Sequence, residues 1–401
     1  MNYAIPVYEP TLGGNELKYV TDCVTSGWIS GRGSYVSEFE NQFARYIGIN
    51  KATSVSNGTV ALHLALMALG IGPGDEVIVP SFTYIAPVNA IVYCGATPVF
   101  VDSLADTWQA DPEDVRRRIT SKTKAIIAVH LYGHPAEMDE LCAIAKEHRL
   151  FLLEDCAEAF GTYYKGKHVG GFGDISIFSF YGNKTITTGE GGMVVTNDET
   201  LFQRAAHLKG QGLAKYREYW HDVVGYNYRM TNICAAIGLA QLEQADVFIA
   251  RKRAIAELYT ELLVGTVYEP QRESKEMTHS YWMYSILCDA VSHRDIVRDH
   301  LKQCAIETRP TFYPVHTMPM YSQKYERHAV AEDIALRGIN LPSFPALTNE
   351  QVETVANALK AAQEKCATLD ANKRLQHFAP SKSTESAAKY IIAGQDKVLV
   401  R

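Results

Sequence analysis

The sequence predicts an α/β fold in which a large, mostly parallel sheet carries the chemistry and a smaller α+β unit follows it. Two observations point there. Between residues 52 and 155, short β-branched runs (ATSVS, DEVIVP, TPVFVD, KAIIAVHLYG, LFLLED) alternate with helical stretches such as GTVALHLALMALG and MDELCAIAKEHR; that alternation is the signature of parallel strands joined by crossover helices. From Asn232 an apolar helical pattern runs without a break through ICAAIGLAQLEQADVFIARKRAIAELYTELL. It is long enough to bridge to a second unit. We expect residues 1–250 to form the large domain and 251–370 the small one. The extension 371–401 carries no readable motif.

With 401 residues, 47% hydrophobic and 21% charged, the chain can bury one large core with a smaller one beside it. The formal net charge of -6 and the lack of a Lys/Arg-rich block argue against a nucleic-acid partner. The eight cysteines are scattered without CxxC pairs or metal-ligand spacing, and read as reduced thiols. MNYAIPVYEP lacks the basic start and apolar core of a signal peptide, and no stretch reaches the roughly 20 apolar residues of a membrane span. The expectation is a cytoplasmic protein with no membrane partner.

In a doubly wound sheet, ligands bind beyond the carboxyl ends of the strands. FLLED ends in Glu154 and Asp155, and strand alternation lets only one of them face the ligand. An Asp there suits a cationic ring nitrogen, as a pyridinium electron sink requires. In DISIFSFYGNKTITTGEGGMVVTND, Lys184 follows an apolar strand in a tight loop, where partial desolvation favours a nucleophilic amine. Ser179 can donate to a phosphate. Gly58 and Thr59, in SNGTVALHLAL, open a helix whose N-terminal amides form an anion site. Tyr84, just past DEVIVP, can stack on a planar ring. Each residue has an ordinary reading when taken singly: a strand-end carboxylate, a surface lysine, a capped helix, a packed aromatic. The combination is far harder to obtain by accident.

These motifs resemble the DegT/DnrJ/EryC1/StrS sugar-nucleotide aminotransferases, which share fold type I with aspartate aminotransferase. The likeness runs from VYEPTLGGNE to INLPSFPAL and includes SNGTVALHLAL, VIVPSFTY, EDCAEAFG, FSFYGNKTITTGEGG and GYNYRMTNICAAIGLAQLE. It implies pyridoxal 5'-phosphate as cofactor, bound covalently by Lys184. Asp155 would pair with its ring nitrogen, Gly58, Thr59 and Ser179 would hold its phosphate, and Tyr84 would cover the ring. Asn227 would reach the phosphate from a neighbouring subunit, which makes the expected form a homodimer with shared sites, or a tetramer of such dimers. Glu158 stands where many members have Gln against the cofactor's 3'-oxygen.

Within the family the chain is most similar to the branch that aminates GDP-4-keto-6-deoxy-D-mannose with L-glutamate, a route to O-antigen and other surface polysaccharides. Lysine at 184, where a related dehydratase has histidine, implies amino transfer. Trp28, Arg32, Tyr313, His316 and Tyr321 are the implied sugar-nucleotide contacts, with a backbone-bonded loop residue as the competing reading of His316. A UDP- or dTDP-linked keto sugar is the alternative substrate. A catalytically silent sensor or scaffold of the same fold is the alternative class.

Overall fold

The computed structural model describes residues 3–378. Helices α1 (Glu16–Ser26) and α2 (Ser34–Ile47) come first, and then strands and helices alternate: β1 (Lys51–Val55), α3 (Gly58–Leu69), β2 (Glu76–Pro80), α4 (Ile85–Tyr93), β3 (Thr97–Val101), α5 (Pro112–Arg117), β4 (Thr123–Val129), α6 (Met138–His148) and β5 (Phe151–Asp155). A short ribbon, β6 (Tyr163–Tyr164) and β7 (Lys167–His168), leads into β8 (Ile175–Ser179) and β9 (Gly192–Thr196). After α7 (Glu199–Lys209), α8 (Asn232–Glu243) and α9 (Ala245–Leu262) come β10 (Glu269–Pro270), β11 (Met277–Thr278), β12 (Tyr284–Leu287), α10 (Val291–Gln303), β13 (Arg309–Pro310), α11 (Ala329–Arg337), β14 (Gly338–Leu341) and α12 (Asn349–Phe378).

Seven strands form the large sheet in the order β1-β9-β8-β5-β4-β2-β3. The pairs β2/β3, β2/β4, β4/β5 and β5/β8 are parallel, while β9 runs antiparallel to both β1 and β8. Helices cover both faces, so the central strands are apolar almost throughout instead of alternating with polar residues. Their side chains still alternate between two layers: Val77, Val79, Ile127 and Leu153 pack with α3 and α4, whereas Ile78, Ile126, Ala128 and Leu152 pack with α2 and α6. The second layer is centred on Phe43, fully buried and edge-on to Phe178 and Phe180 with ring centroids 5.0 and 5.3 Å away.

The apolar run from Asn232 is two helices, not one. α8 and α9 meet at Gln244 with a 61° bend. α8 is buried nearly all round against α1 and α2, and Gly238 leaves so little space that an added Cβ would lie 2.7 Å from the Phe39 ring. α9 must turn out of that layer to reach the core of the second sheet, where Ile255, Ala256 and Tyr259 lie. That sheet is antiparallel, in the order β10-β12-β14-β13. The C-terminal stretch set apart at residue 371 begins inside α12, which continues to Phe378; positions 379–401 lie outside the described residues. No single helix among the described residues is long and apolar enough to cross a membrane.

Replacing Phe43 with Ala should cost about 3–5 kcal/mol, the usual penalty for emptying a buried aromatic site. Thermal unfolding followed by circular dichroism would read it as a lowered Tm.

Candidate active site

The two carboxylates of FLLED lie on opposite faces of β5, and Asp155 is the one on the ligand side. Glu154 turns into the layer with α2 and α6. It accepts the N–H groups of Gly170, Phe172 and Gly173 at 2.7 Å each, the Ser176 hydroxyl at 3.3 Å and His130 Nε2 at 3.1 Å. Because His130 Nδ1 accepts the Ala136 N–H at 3.0 Å, its proton sits on Nε2. Burial alone would raise the Glu154 carboxyl; His130 and the glycine amides hold it below the ordinary value. Asp155 turns the other way. The one hydrogen bond to its side chain among the described residues is the Ala157 N–H on Oδ1 at 3.0 Å, which leaves Oδ2 for a ligand. Burial raises its pKa.

Next to β5, β8 delivers Ser179 at its carboxyl end. The Asn57 side chain caps α3 by accepting the Val60 N–H at 3.0 Å, which leaves the N–H groups of Gly58 and Thr59 at the helix mouth without a partner among the described residues. A Cβ at Gly58 would stand 2.8 Å from the Ser179 Cβ, so this close approach requires glycine. Two amides, the Thr59 hydroxyl and the Ser179 hydroxyl thus share one concave patch at the positive end of a helix dipole.

Lys184 lies in the tight loop after β8, where its N–H donates to Tyr181 O at 2.9 Å. Both carbonyls flanking its peptide are tied down: Trp282 Nε1 donates to Asn183 O at 2.7 Å and the Tyr8 hydroxyl to Lys184 O at 2.5 Å. Lys184 Nζ sits 3.8 Å from the Trp282 ring centroid and 3.8 Å from Glu158 Oε1. Burial lowers the lysine's pKa, against the opposing pull of Glu158 and Asp155. Burial also pushes Glu158 up, and the Tyr132 N–H bound to its Oε2 at 2.8 Å anchors it. Tyr132, Trp282 and Phe312 form a cluster of mutually tilted or parallel rings, with centroids 6.1 Å (Tyr132–Trp282), 5.2 Å (Tyr132–Phe312) and 6.4 Å (Trp282–Phe312) apart.

These groups open into one cavity of about 770 Å³ between the carboxyl ends of the large sheet and the edge of the small one. Gly58, Thr59, Tyr84, Asp155, Glu158, Ser179 and Lys184 all line it. Trp28, Arg32, Tyr313 and Asn227 do not; all four are exposed, and Asn227 Oδ1 accepts from the Arg229 guanidinium at 3.1 and 3.2 Å. The Trp28–Arg32 turn packs on the same strip as Asn227, since Asn232 Nδ2 donates to Trp28 O at 2.7 Å and a Cβ at Gly31 would meet Arg229 Cβ at 3.2 Å. His316 is buried outside the cavity, with Nδ1 on the Ser81 hydroxyl and Nε2 on Glu332 at 3.2 Å. Both its ring nitrogens are spent within the fold. Tyr321 is also placed elsewhere, its hydroxyl donating to Asn89 at 2.6 Å and its ring against Phe100.

Several lining residues were not foreseen from sequence, Trp282, Arg309 and Thr83 among them. Trp282, in SYWMYSILCD, reads only as part of a strand. Among the described residues, Arg309 is the one basic residue besides Lys184 on the cavity wall. The Thr83 hydroxyl lines the cavity, buried and without a hydrogen-bond partner. An orphaned hydroxyl, a glycine cradle at a helix N-terminus, a one-sided carboxylate and a desolvated amine fit pyridoxal phosphate in type and number.

Comparison with known proteins agrees with this geometry. The DegT/DnrJ/EryC1/StrS aminotransferase family model matches residues 10–360. The chain is 62% identical to the GDP-perosamine synthase of Escherichia coli O157:H7 over 355 residues, 88% of this chain and 97% of that protein. It is 53% identical to the GDP-perosamine synthase of Vibrio cholerae over 360 residues, 89% and 98% of the two chains. The PMP form of the putative sugar aminotransferase Spr1654 from Streptococcus pneumoniae superimposes with a TM-score of 0.88 at 29% identity, covering 92% of this chain and 100% of that one. The large mixed sheet with its cavity at the strand ends is therefore that of fold type I. The chain belongs to the DegT/DnrJ/EryC1/StrS aminotransferase family and is a pyridoxal phosphate-dependent sugar aminotransferase.

Proposed function

We propose that the enzyme transfers an amino group from L-glutamate to C4 of GDP-4-keto-6-deoxy-D-mannose, giving GDP-perosamine and 2-oxoglutarate for a surface polysaccharide such as O-antigen. The observation that carries the chemistry is the placement of the Lys184 amine and the Asp155 carboxylate on one cavity with the mouth of α3. The choice of sugar nucleotide is supported by near full-length similarity to GDP-perosamine synthases.

In this reading Gly58, Thr59 and Ser179 hold the cofactor phosphate, Asp155 its ring nitrogen, Glu158 its 3'-oxygen and Tyr84 its ring face, and Lys184 attaches it. Bound there, pyridoxal phosphate supplies the electron sink and the carbon that carries the amino group between the two substrates. In each half-reaction Lys184 Nζ acts as general base and then general acid, carrying a proton away from the donor's α-carbon in the first and delivering one to C4 of the sugar in the second. Its desolvated setting keeps the free amine poised to do so. With its free oxygen turned to the cavity, the Asp155 carboxylate would hold a proton on the cofactor's ring nitrogen. Trp282 shuts water away from one side of the reacting amine, with Phe312 packed beside the indole. Arg309 offers a guanidinium to the anionic substrates.

Trp28, Arg32 and Asn227 complete the site only in a homodimer, in which one protomer's strip meets its partner's cavity. The exposure of Leu213, Tyr216, Tyr219 and Val224 on the neighbouring segment supports such contact.

Borohydride reduction of the purified enzyme, followed by peptide mass analysis, should place the cofactor on Lys184. Lys184→Ala should lower the donor half-reaction rate by about 10²–10⁴-fold, the range for a general base. The acceptor is tested with enzyme in its amino form: GDP-4-keto-6-deoxy-D-mannose should restore the visible absorbance of the carbonyl form. Restoration by a UDP-keto sugar alone would exclude the GDP assignment. Glu158→Gln removes a negative charge that favours the Lys184 ammonium, so the lysine should lose its proton more easily. The acid limb of the donor half-reaction's pH profile should move to lower pH; movement to higher pH would contradict the pairing.

A further inference from the structure

Behind the cavity, α9 carries a lysine that none of this chemistry uses. Lys252 is fully buried at 0% exposure, and among the described residues no carboxylate pairs with it. Its three ammonium hydrogens meet three acceptors, Trp282 O at 3.1 Å, Ser343 O at 2.7 Å and Ser343 Oγ at 3.3 Å. Burial draws its pKa down to about 7. An apolar side chain would fill such a place without the cost of desolvating an amine, so packing alone does not account for lysine here.

The contacts of Lys252 lead to the reacting amine by two routes. Through its carbonyl it holds Trp282, whose indole lies 3.8 Å from Lys184 Nζ and whose Nε1 donates to Asn183 O at 2.7 Å. Lys252 Nζ also lies 5.5 Å from the Tyr8 ring centroid, and the Tyr8 hydroxyl donates to Lys184 O at 2.5 Å. The Ser343 N–H, donating to Val7 O at 3.2 Å, fastens the segment that carries Tyr8 to the same point. One amine thus joins α9, the approach to β12, the exit of β14 and the N-terminal segment. The two aromatic residues it touches grip consecutive carbonyls around Lys184.

We infer that Lys252 is a positioning residue for the Lys184 amine, holding Trp282 and Tyr8 so that they fix the Asn183 and Lys184 carbonyls and the indole face beside Nζ. The inference rests on the proposed role of Lys184. Lys252 touches no reacting atom and acts through these two residues alone.

The test is Lys252→Met, close in length and without donors. With Trp282 and Tyr8 released, water reaches Lys184 and favours its ammonium form. Trace acetylation of the cofactor-free protein across pH, with the Lys184 peptide quantified by mass, should therefore show the midpoint of its amine move upward. In the loaded enzyme, kcat should fall by about 10–10²-fold, the scale of a small misplacement, while KM for glutamate and for the sugar nucleotide stays within about twofold. A lowered Tm with unchanged Lys184 midpoint and unchanged kcat would overturn the inference and leave Lys252 a structural residue. If K252M does not fold, the double variant Tyr8→Phe, Trp282→Phe decides: an upward midpoint supports the inference, and an unmoved one overturns it. If borohydride fails to trap cofactor on Lys184 in the wild-type enzyme, the reading of the site falls instead.

Discussion

The structure depends on keeping one primary amine out of water without neutralising it through a tight ion pair. Lys184 has carboxylates in its surroundings, yet the nearest, Glu158, stands at 3.8 Å and not at the 2.7–2.9 Å of a charge-assisted hydrogen bond. Its closest cushion is an aromatic face. Burial and the acidic neighbours pull the lysine in opposite directions, and an amine held between them can both give and take a proton. The loop carbonyls, the Tyr132 ring cluster and the edge of the small sheet all serve this arrangement by fixing where the amine stands.

The large sheet supplies the other half of the site through the rule that places ligands beyond parallel strand ends. β5 and β8 are neighbours in the sheet although a ribbon and a loop separate them in the chain, so Asp155 and Ser179 arrive side by side. α3 begins its crossover at the same edge, and the absence of a side chain at Gly58 lets helix mouth and serine approach within contact distance. Polar groups from three distant segments thus meet with no irregular element except the Lys184 loop.

What the sequence made legible was local. The α/β alternation, the helix opening at Gly58 and the placing of Glu154 and Asp155 on opposite faces follow from patterns of the chain itself, and the structure agrees with them; which of the two carboxylates meets the cavity was carried by chemistry and resemblance instead. Trp282 and Tyr8 were not legible, because their roles lie in contacts across 99 and 176 residues of chain, which neither SYWMYSILCD nor VYEPTLGGNE reveals. The bend at Gln244 was hidden for a related reason: an apolar run shows that a helix is buried but not that it must change partners midway. His316 shows the opposite failure, a histidine in a suggestive loop whose two nitrogens both find partners inside the fold. Trp28, Arg32 and Asn227 lie on one outward-facing strip, away from the cavity of their own subunit.

The back-to-back carboxylates of β5 bear on how this strand can change over evolutionary time. Glu154 anchors one layer through five hydrogen bonds while Asp155 serves the cavity in the other. Inserting or deleting a single residue within the strand would exchange the faces of both at once, removing the anchor and the cavity carboxylate together. Lineages of this enzyme can therefore explore β5 by substitution, but length variation is confined to the loops on either side. That leaves the spacing between Leu152 and Asp155 as a ruler against which divergent members can be aligned when little else in their sequences remains comparable.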